Sequence, residues 1–202
     1  MEFSLFPLFS RSSFNLVPKD KGADFIVAKD GTGHFTTVNG AVAAAPENSM
    51  KRFVIYVKRR VYREVVRVGV KKSNITIIGD GQDLTILTGN LNSDDTKSFD
   101  TATLAQDLCI QNTAGPQKGP AVALRISAER VVVYRCKIDA FQDSLYAYSG
   151  RQFYRECHIT GTVDFICGHA TAVFQYCQIE ARKPAKQQNN VLTAQSREKK
   201  SD

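Results

Sequence analysis

The chain has 202 residues, 43% of them hydrophobic, which is enough for one domain with a buried core. No apolar run approaches the roughly 18 residues that a membrane-spanning helix needs. The net charge of +7 suits an acidic partner as well as simple solubility, but the basic clusters Lys58-Arg59-Arg60 and Lys71-Lys72 stand in no nucleic-acid-binding motif.

Residues 1–22 mix apolar side chains with Glu2, Arg11 and Lys19 and lack the three-part pattern of a signal peptide. They read as a flexible lead-in, and 23–202 as one domain. Thr37 to Ala45 is the clear helix candidate: Thr37 caps it, alanines favour it and Pro46 ends it. Beyond residue 50 the pattern changes to short β-type runs, Phe53–Val57, Ile75–Ile78, Thr85–Thr88, Ala121–Leu124 and Val131–Tyr134, most of them bounded by Gly, Asp or Asn. Asn74-Ile75-Thr76 is an N-glycosylation sequon, of use only in a secreted chain. The five cysteines fit neither a C-x-x-C metal site nor a dense disulfide scaffold.

Three of those cysteines mark an internal repeat. Cys136-Lys-Ile138, Cys157-His-Ile159 and Cys177-Gln-Ile179 recur at steps of 21 and 20 residues, each preceded by an aromatic residue. A fixed step of this size, with strands and no intervening helices, predicts a parallel β-helix in which each repeat is one coil. Cys and Ile two positions apart share a face of a strand and both point inward. An ordinary β-sandwich remains the competing architecture at this point.

Asp143 follows Cys136 by seven residues, and Asp164 follows Cys157 by seven. Equivalent positions on stacked coils lie about 4.8 Å apart, so the period sets two carboxylates face to face. At an effective dielectric of ~20 their repulsion is about 3 kcal/mol, or roughly two pKa units, which leaves one protonated and one ionised near neutrality. An acid beside an anionic nucleophile is a hydrolase's equipment, although each Asp could equally end a strand or cap a turn.

These residues resemble the plant pectin methylesterases. Gln142-Asp143-Ser144-Leu145 is similar to the family's Q-D-T-L, and Gly161-Thr-Val-Asp164-Phe-Ile-Cys-Gly168 to G-T-V-D-F-I-F-G. Further similar segments are Ala28-Lys-Asp-Gly-Thr-Gly33, Ile77-Ile-Gly-Asp-Gly81, Gln111-Asn-Thr-Ala-Gly115, Ala121-Val-Ala-Leu-Arg125 and Arg182-Lys-Pro184. The resemblance implies a right-handed parallel β-helix that hydrolyses methyl esters of pectin, releasing methanol in cell-wall modification and pectin breakdown. It implies Asp164 as nucleophile, Asp143 as proton donor, Gln142 as stabiliser of the transition state and Thr103 as a substrate-binding residue. It also implies a Cys109–Cys136 disulfide, a Cys177 whose partner lies beyond this C-terminus, no cofactor, no metal, no nucleic-acid or membrane partner, and a secreted monomer.

Four departures bear on activity. Pro120 stands where the family has a glutamine that helps hold the oxyanion, and losing one such donor costs about a hundred- to a thousand-fold in rate. The later Arg/Trp segment and the closing coils are absent, which leaves an exposed rung near Val191-Leu192. Ala105 runs directly into Gln106, where relatives carry a turn and part of a strand, so one coil should be shortened or broken. Arg60 replaces a glycine in a G-V-Y-R-E-like segment and is strained if that position needs positive φ. An active esterase of reduced efficiency therefore competes with an inactive truncated form that binds pectin or nothing, and Pro120 and the absent segment weigh toward the latter. A polygalacturonase needs carboxyls about 6.5–9.5 Å apart and a lyase an acidic calcium cluster, and the sequence pattern supports neither.

Overall fold

The computed structural model describes residues 22–92 and 103–195. The lead-in expected over 1–22 therefore lies, apart from Gly22, outside the described residues.

The chain winds as stacked coils. β1 (Phe25–Val27) is followed by the α-helix α1 (Val38–Ala44), then β2 (Phe53–Val57) and β3 (Arg60–Arg63). The next two coils contribute β4 (Ile75–Gly79) with β5 (Thr85–Gly89), and β6 (Thr103–Gln106) with β7 (Cys109–Asn112). β8 (Leu124–Ser127) opens a third side. Two three-strand coils follow: β9 (Val131–Tyr134), β10 (Lys137–Asp139) and β11 (Leu145–Ser149), then β12 (Arg151–Arg155), β13 (His158–Gly161) and β14 (Ile166–Gly168). β15 (Thr171–Gln175), β16 (Gln178–Ala181) and β17 (Thr193–Gln195) complete the described chain. All pairings are parallel and build sheets of seven, six and four strands.

From β6 onward, the corner between the first two sheets is turned by one left-handed residue in each of four coils. Asp107, Arg135, Glu156 and Tyr176 each take positive φ, between 49° and 55°. A single left-handed residue redirects a strand without a loop, so the corners stack as regularly as the strands. Arg135 reinforces its corner with two charge-assisted hydrogen bonds of 2.7 Å to Asp107 on the coil before. The expected helix is present. Thr37 Oγ1 accepts the Gly40 N–H, and Glu64 reaches across from the next coil to accept the Val38 and Asn39 N–H groups at 2.9 Å. An anion at a helix N-terminus satisfies its free donors and matches its dipole.

Register turns the repeat into columns. Ile55, Ile77, Ala105, Val133, Tyr154 and Phe174 lie level on successive strands of the seven-stranded sheet, with the last two rings stacked at 4.7 Å. Tyr62, Leu87, Ile110, Ile138, Ile159 and Ile179 form a second column on the six-stranded sheet. Cys136 and Cys157 are fully buried beside Ile138 and Ile159, as alternation requires. The third repeat is less covered, because β15, β16 and β17 are the edges of their sheets: Ile179 is 41% and Leu192 49% exposed.

Four expectations change. The strand predicted at Ala121–Leu124 begins only at Leu124, because the N–H groups of Ala123 and Leu124 both turn to the Ser144 carbonyl. The coil expected to be shortened or broken at Ala105–Gln106 does not break there: β6 pairs with both β4 and β9, and β7 with both β5 and β10. Arg60 is unstrained, lying in β3 opposite Thr85 and outside the positive-φ residues. The Cys109–Cys136 disulfide is not formed, and both thiols are free and buried.

Ala105 is the one small residue in its column, and beside it lies a partly open cavity of about 430 Å³ lined by Ile77, Leu87, Ile110, Leu124 and Val133 and reaching Asp143. Stacked side chains normally leave few such voids. Ala105→Val adds two methyl groups there and a β-branched residue to a strand; we expect a gain of about 1 kcal/mol in urea unfolding. A loss would show that the lumen cannot accept the added volume.

Candidate active site

The acids sit at corners of the same kind as the other turns. Gln142-Asp143 lies between β10 and β11, and Asp164 lies at the equivalent corner between β13 and β14. Both aspartates are left-handed, φ 60° and 49°, a conformation that Asp tolerates better than most residues. The Asp143 N–H donates to Val163 O at 3.0 Å and the Leu145 N–H to Phe165 O at 2.9 Å, while Leu145 lies level with Ile166. The two corners are thus locked one above the other, and their carboxylates occupy equivalent positions on adjacent coils.

Close packing supports them from below. Phe165, Ser144 and Leu145 are wholly buried next to the acids. A Cβ on Gly161 would meet the Phe165 side chain at 2.1 Å, so only glycine lets that ring sit beneath the corner. On the preceding coil, the Ala121 N–H donates to Gln142 O at 3.2 Å, which holds Pro120-Ala121 against the acid corner. Pro120 and Asp143 both border the partly open cavity.

A polar network braces the corner on its other flank. Asp139 accepts hydrogen bonds from Gln111 Nε2 at 2.8 Å, Thr160 Oγ1 at 2.6 Å and Arg182 Nη1 at 2.9 Å. Arg182 also donates to Ala140 O at 3.0 Å and lays its guanidinium over the Phe141 ring at 4.1 Å. Burial raises the Asp139 pKa, but Thr160, Gln111 and Arg182 outweigh it and hold the carboxyl below its usual value. Sequence reasoning overlooked Asp139, although Gln111 and Arg182 fall in segments already singled out.

Asp143 behaves oppositely. Burial first and the Asp164 charge second push its pKa up to about 6. The period argument anticipated the direction but credited the charge alone. On the outer face of the four-stranded sheet, Arg125 lies 4.3 Å from the centre of the Tyr148 ring and 5.3 Å from that of Tyr146, and Tyr148 meets His169 edge-on at 4.7 Å. Of the residues predicted for the site, Gln142, Asp143 and Asp164 come together. Thr103 opens β6 in the seven-stranded sheet, opposite Ile75, and so belongs to another sheet.

Fold and site together define a right-handed parallel β-helix with paired carboxylates at stacked corners. The family pattern "Pectinesterase" matches residues 24–202, and the chain belongs to that family. It is 68% identical to "Probable pectinesterase 56" of Arabidopsis thaliana over 189 residues, covering 89% of this chain and 65% of that protein. A pectin methylesterase from carrot superposes with a TM-score of 0.86 at 47% identity, over 90% of this chain and 60% of that one. A pectin methylesterase solved in complex with a hexasaccharide superposes with a TM-score of 0.77 at 28% identity, over 87% and 61% respectively. The chain thus spans less than two thirds of the length of these relatives.

Two outcomes test the electrostatics. Carboxyl titration by NMR should give Asp143 a midpoint near 6, and Asp164→Asn should lower it without restoring the ordinary carboxylate value of 3.8, because burial remains. A return to that value would make charge the whole cause. For Asp139 the folded pKa lies below the unfolded one, so its contribution is present above about pH 4 and is lost as acid protonates it. Asp139→Asn should therefore cost roughly 1–3 kcal/mol at pH 7 and much less near pH 3, measured by denaturant unfolding.

Proposed function

We propose that this chain is a pectin methylesterase that hydrolyses methyl esters of galacturonate units in the plant cell wall, as a monomer and without a cofactor. The observation that carries the proposal is the pair of stacked corner aspartates, one with a raised pKa, in a chain of the pectinesterase family. Asp164 attacks the ester carbonyl, and the tetrahedral oxyanion takes a hydrogen bond from the Gln142 amide. As the intermediate collapses, Asp143 gives its proton to the departing methoxide, releasing methanol and leaving an acyl-enzyme. Asp143 then takes a proton from water, which attacks the acyl carbonyl and frees the acid and Asp164. Thr103 is assigned to substrate binding on resemblance.

Two arguments for an inactive chain lose their force, since the coil before the site does not break at Ala105–Gln106 and Arg60 is relaxed. Pro120 remains as a missing donor and points to a slow enzyme rather than a dead one. Methanol release from highly methylated pectin should be measurable with the purified chain and absent in Asp164→Ala. Release that persists in that variant would remove Asp164 from the mechanism. Pro120→Gln should raise kcat by about tenfold or more if the added amide reaches the oxyanion, with little change in KM. An unchanged kcat would show that Gln142 alone supplies what the site can use.

A further inference from the structure

The mechanism above leaves the thiols inside the coils without a role. Lys137, His158 and Gln178 lie level on successive strands, and the cysteine before each keeps that register: the His158 N–H donates to Cys136 O at 2.9 Å and the Gln178 N–H to Cys157 O at 2.8 Å. Cys136, Cys157 and Cys177 therefore stand one above another at strand spacing, about 4.8 Å. A disulfide needs Cα atoms about 4.4–6.8 Å apart, so each thiol reaches only the coil next to it. Contact and exposure single out one of the two neighbouring pairs. The Cys157 thiol is hydrogen-bonded to Cys177, whereas Cys136 Sγ turns to Tyr134 O at 3.4 Å. Cys136 and Cys157 are sealed from solvent, but Cys177 is only partly buried, between the end strands β15 and β16. The hydrogen bond from Cys157 also holds the Cys177 pKa below the ordinary thiol value, while burial raises Cys109, Cys136 and Cys167. The thiol that solvent reaches is thus the one most easily ionised.

We propose that Cys157 and Cys177 are an oxidation site, at which a low-molecular-weight disulfide such as oxidised glutathione makes a bond that braces the end coil. Nothing in this chemistry depends on the esterase reading. The Cys177 thiolate attacks one sulfur of the reagent, whose S–S bond breaks; the departing thiolate takes up the proton that Cys177 released. Cys157 then attacks the Cys177 sulfur of the mixed disulfide, and the second reagent thiol leaves with the Cys157 proton. Two protein thiols are oxidised and one reagent disulfide is reduced to two thiols. Closure draws the two Cβ atoms from strand spacing to about 3.8 Å. β15 and β16 can follow because each is the end strand of its sheet, whereas β10, which follows Cys136, is held between β7 and β13. The resemblance gives Cys177 a partner beyond this C-terminus; the register offers it Cys157. The bond would tie β16 to the coil that carries Asp164, seven residues after Cys157.

The experiment oxidises the reduced, folded chain with oxidised glutathione, alkylates the remaining thiols in denaturant and maps the peptides. Chymotryptic cleavage at Phe165 and Phe174 puts Cys157, Cys167 and Cys177 in three different peptides. The peptide with Cys157 should be joined to the one with Cys177, and dithiothreitol should release it. Amide hydrogen exchange in β15 and β16 should slow about tenfold or more on oxidation, because the bond restricts opening of the end coil. Cys157→Ser should stop at a glutathione adduct on Cys177, and Cys177→Ser should leave Cys157 unreacted. Wild-type Cys177 carrying glutathione with Cys157 still free, or both alkylated while Cys109 and Cys136 are joined, would overturn the site. Exchange unchanged by a mapped Cys157–Cys177 bond would overturn the brace. If either variant does not fold, the wild-type peptide map decides alone.

Discussion

In-register parallel stacking is the constraint on which the molecule depends. Once Val131 is level with Gln152, and Arg151 with Thr171, every side chain inherits a neighbour one coil away at strand spacing. Stability and function both draw on this rule. Apolar residues repeated at the coil step become core columns, thiols become inward neighbours of isoleucines, and two aspartates become a stacked carboxylate pair. Charge pairs follow it as well, as the Asp107–Arg135 corner shows.

The corners convert stacking into chemistry. A left-handed residue ends one strand and starts the next without slack, so a side chain placed there is held by hydrogen-bonded backbone on both sides. Asp143 and Asp164 are therefore positioned by main chain rather than by flexible loops, which favours a pre-organised site. The cost is burial of a carboxyl beside a like charge, and the raised pKa of Asp143 records it. In the proposed mechanism that cost serves an acid which must hold its proton when the leaving group departs.

Much of this was legible in the sequence because a solenoid writes its geometry as a period. The steps of 21 and 20 residues around the cysteines gave the coil, and adding seven to Cys136 and Cys157 gave both acids. Features without a period were harder. Asp139 meets Gln111, Thr160 and Arg182 from three other coils, at separations that no single spacing reveals. The start of β8 was misplaced because two adjacent N–H groups share one carbonyl, an irregularity that β-propensity does not record. The outer aromatic face was missed because Tyr146, Tyr148 and His169 look in sequence like ordinary strand residues. The disulfide was carried over from the resemblance, and the structure holds Cys109 and Cys136 as free thiols.

The reach of Arg182 has a consequence for how the coils come apart. In a solenoid, each repeat normally touches only its two neighbours, so unfolding can begin at an end and proceed coil by coil. Arg182 follows β16, yet it grips Asp139 and Ala140 at β10, passing over β13, which lies between them in the sheet. That contact couples second neighbours. The three coils that carry β10, β13 and β16 must open together or leave Asp139 without its counterion, which makes the segment around the two acids one cooperative block within an otherwise sequential stack.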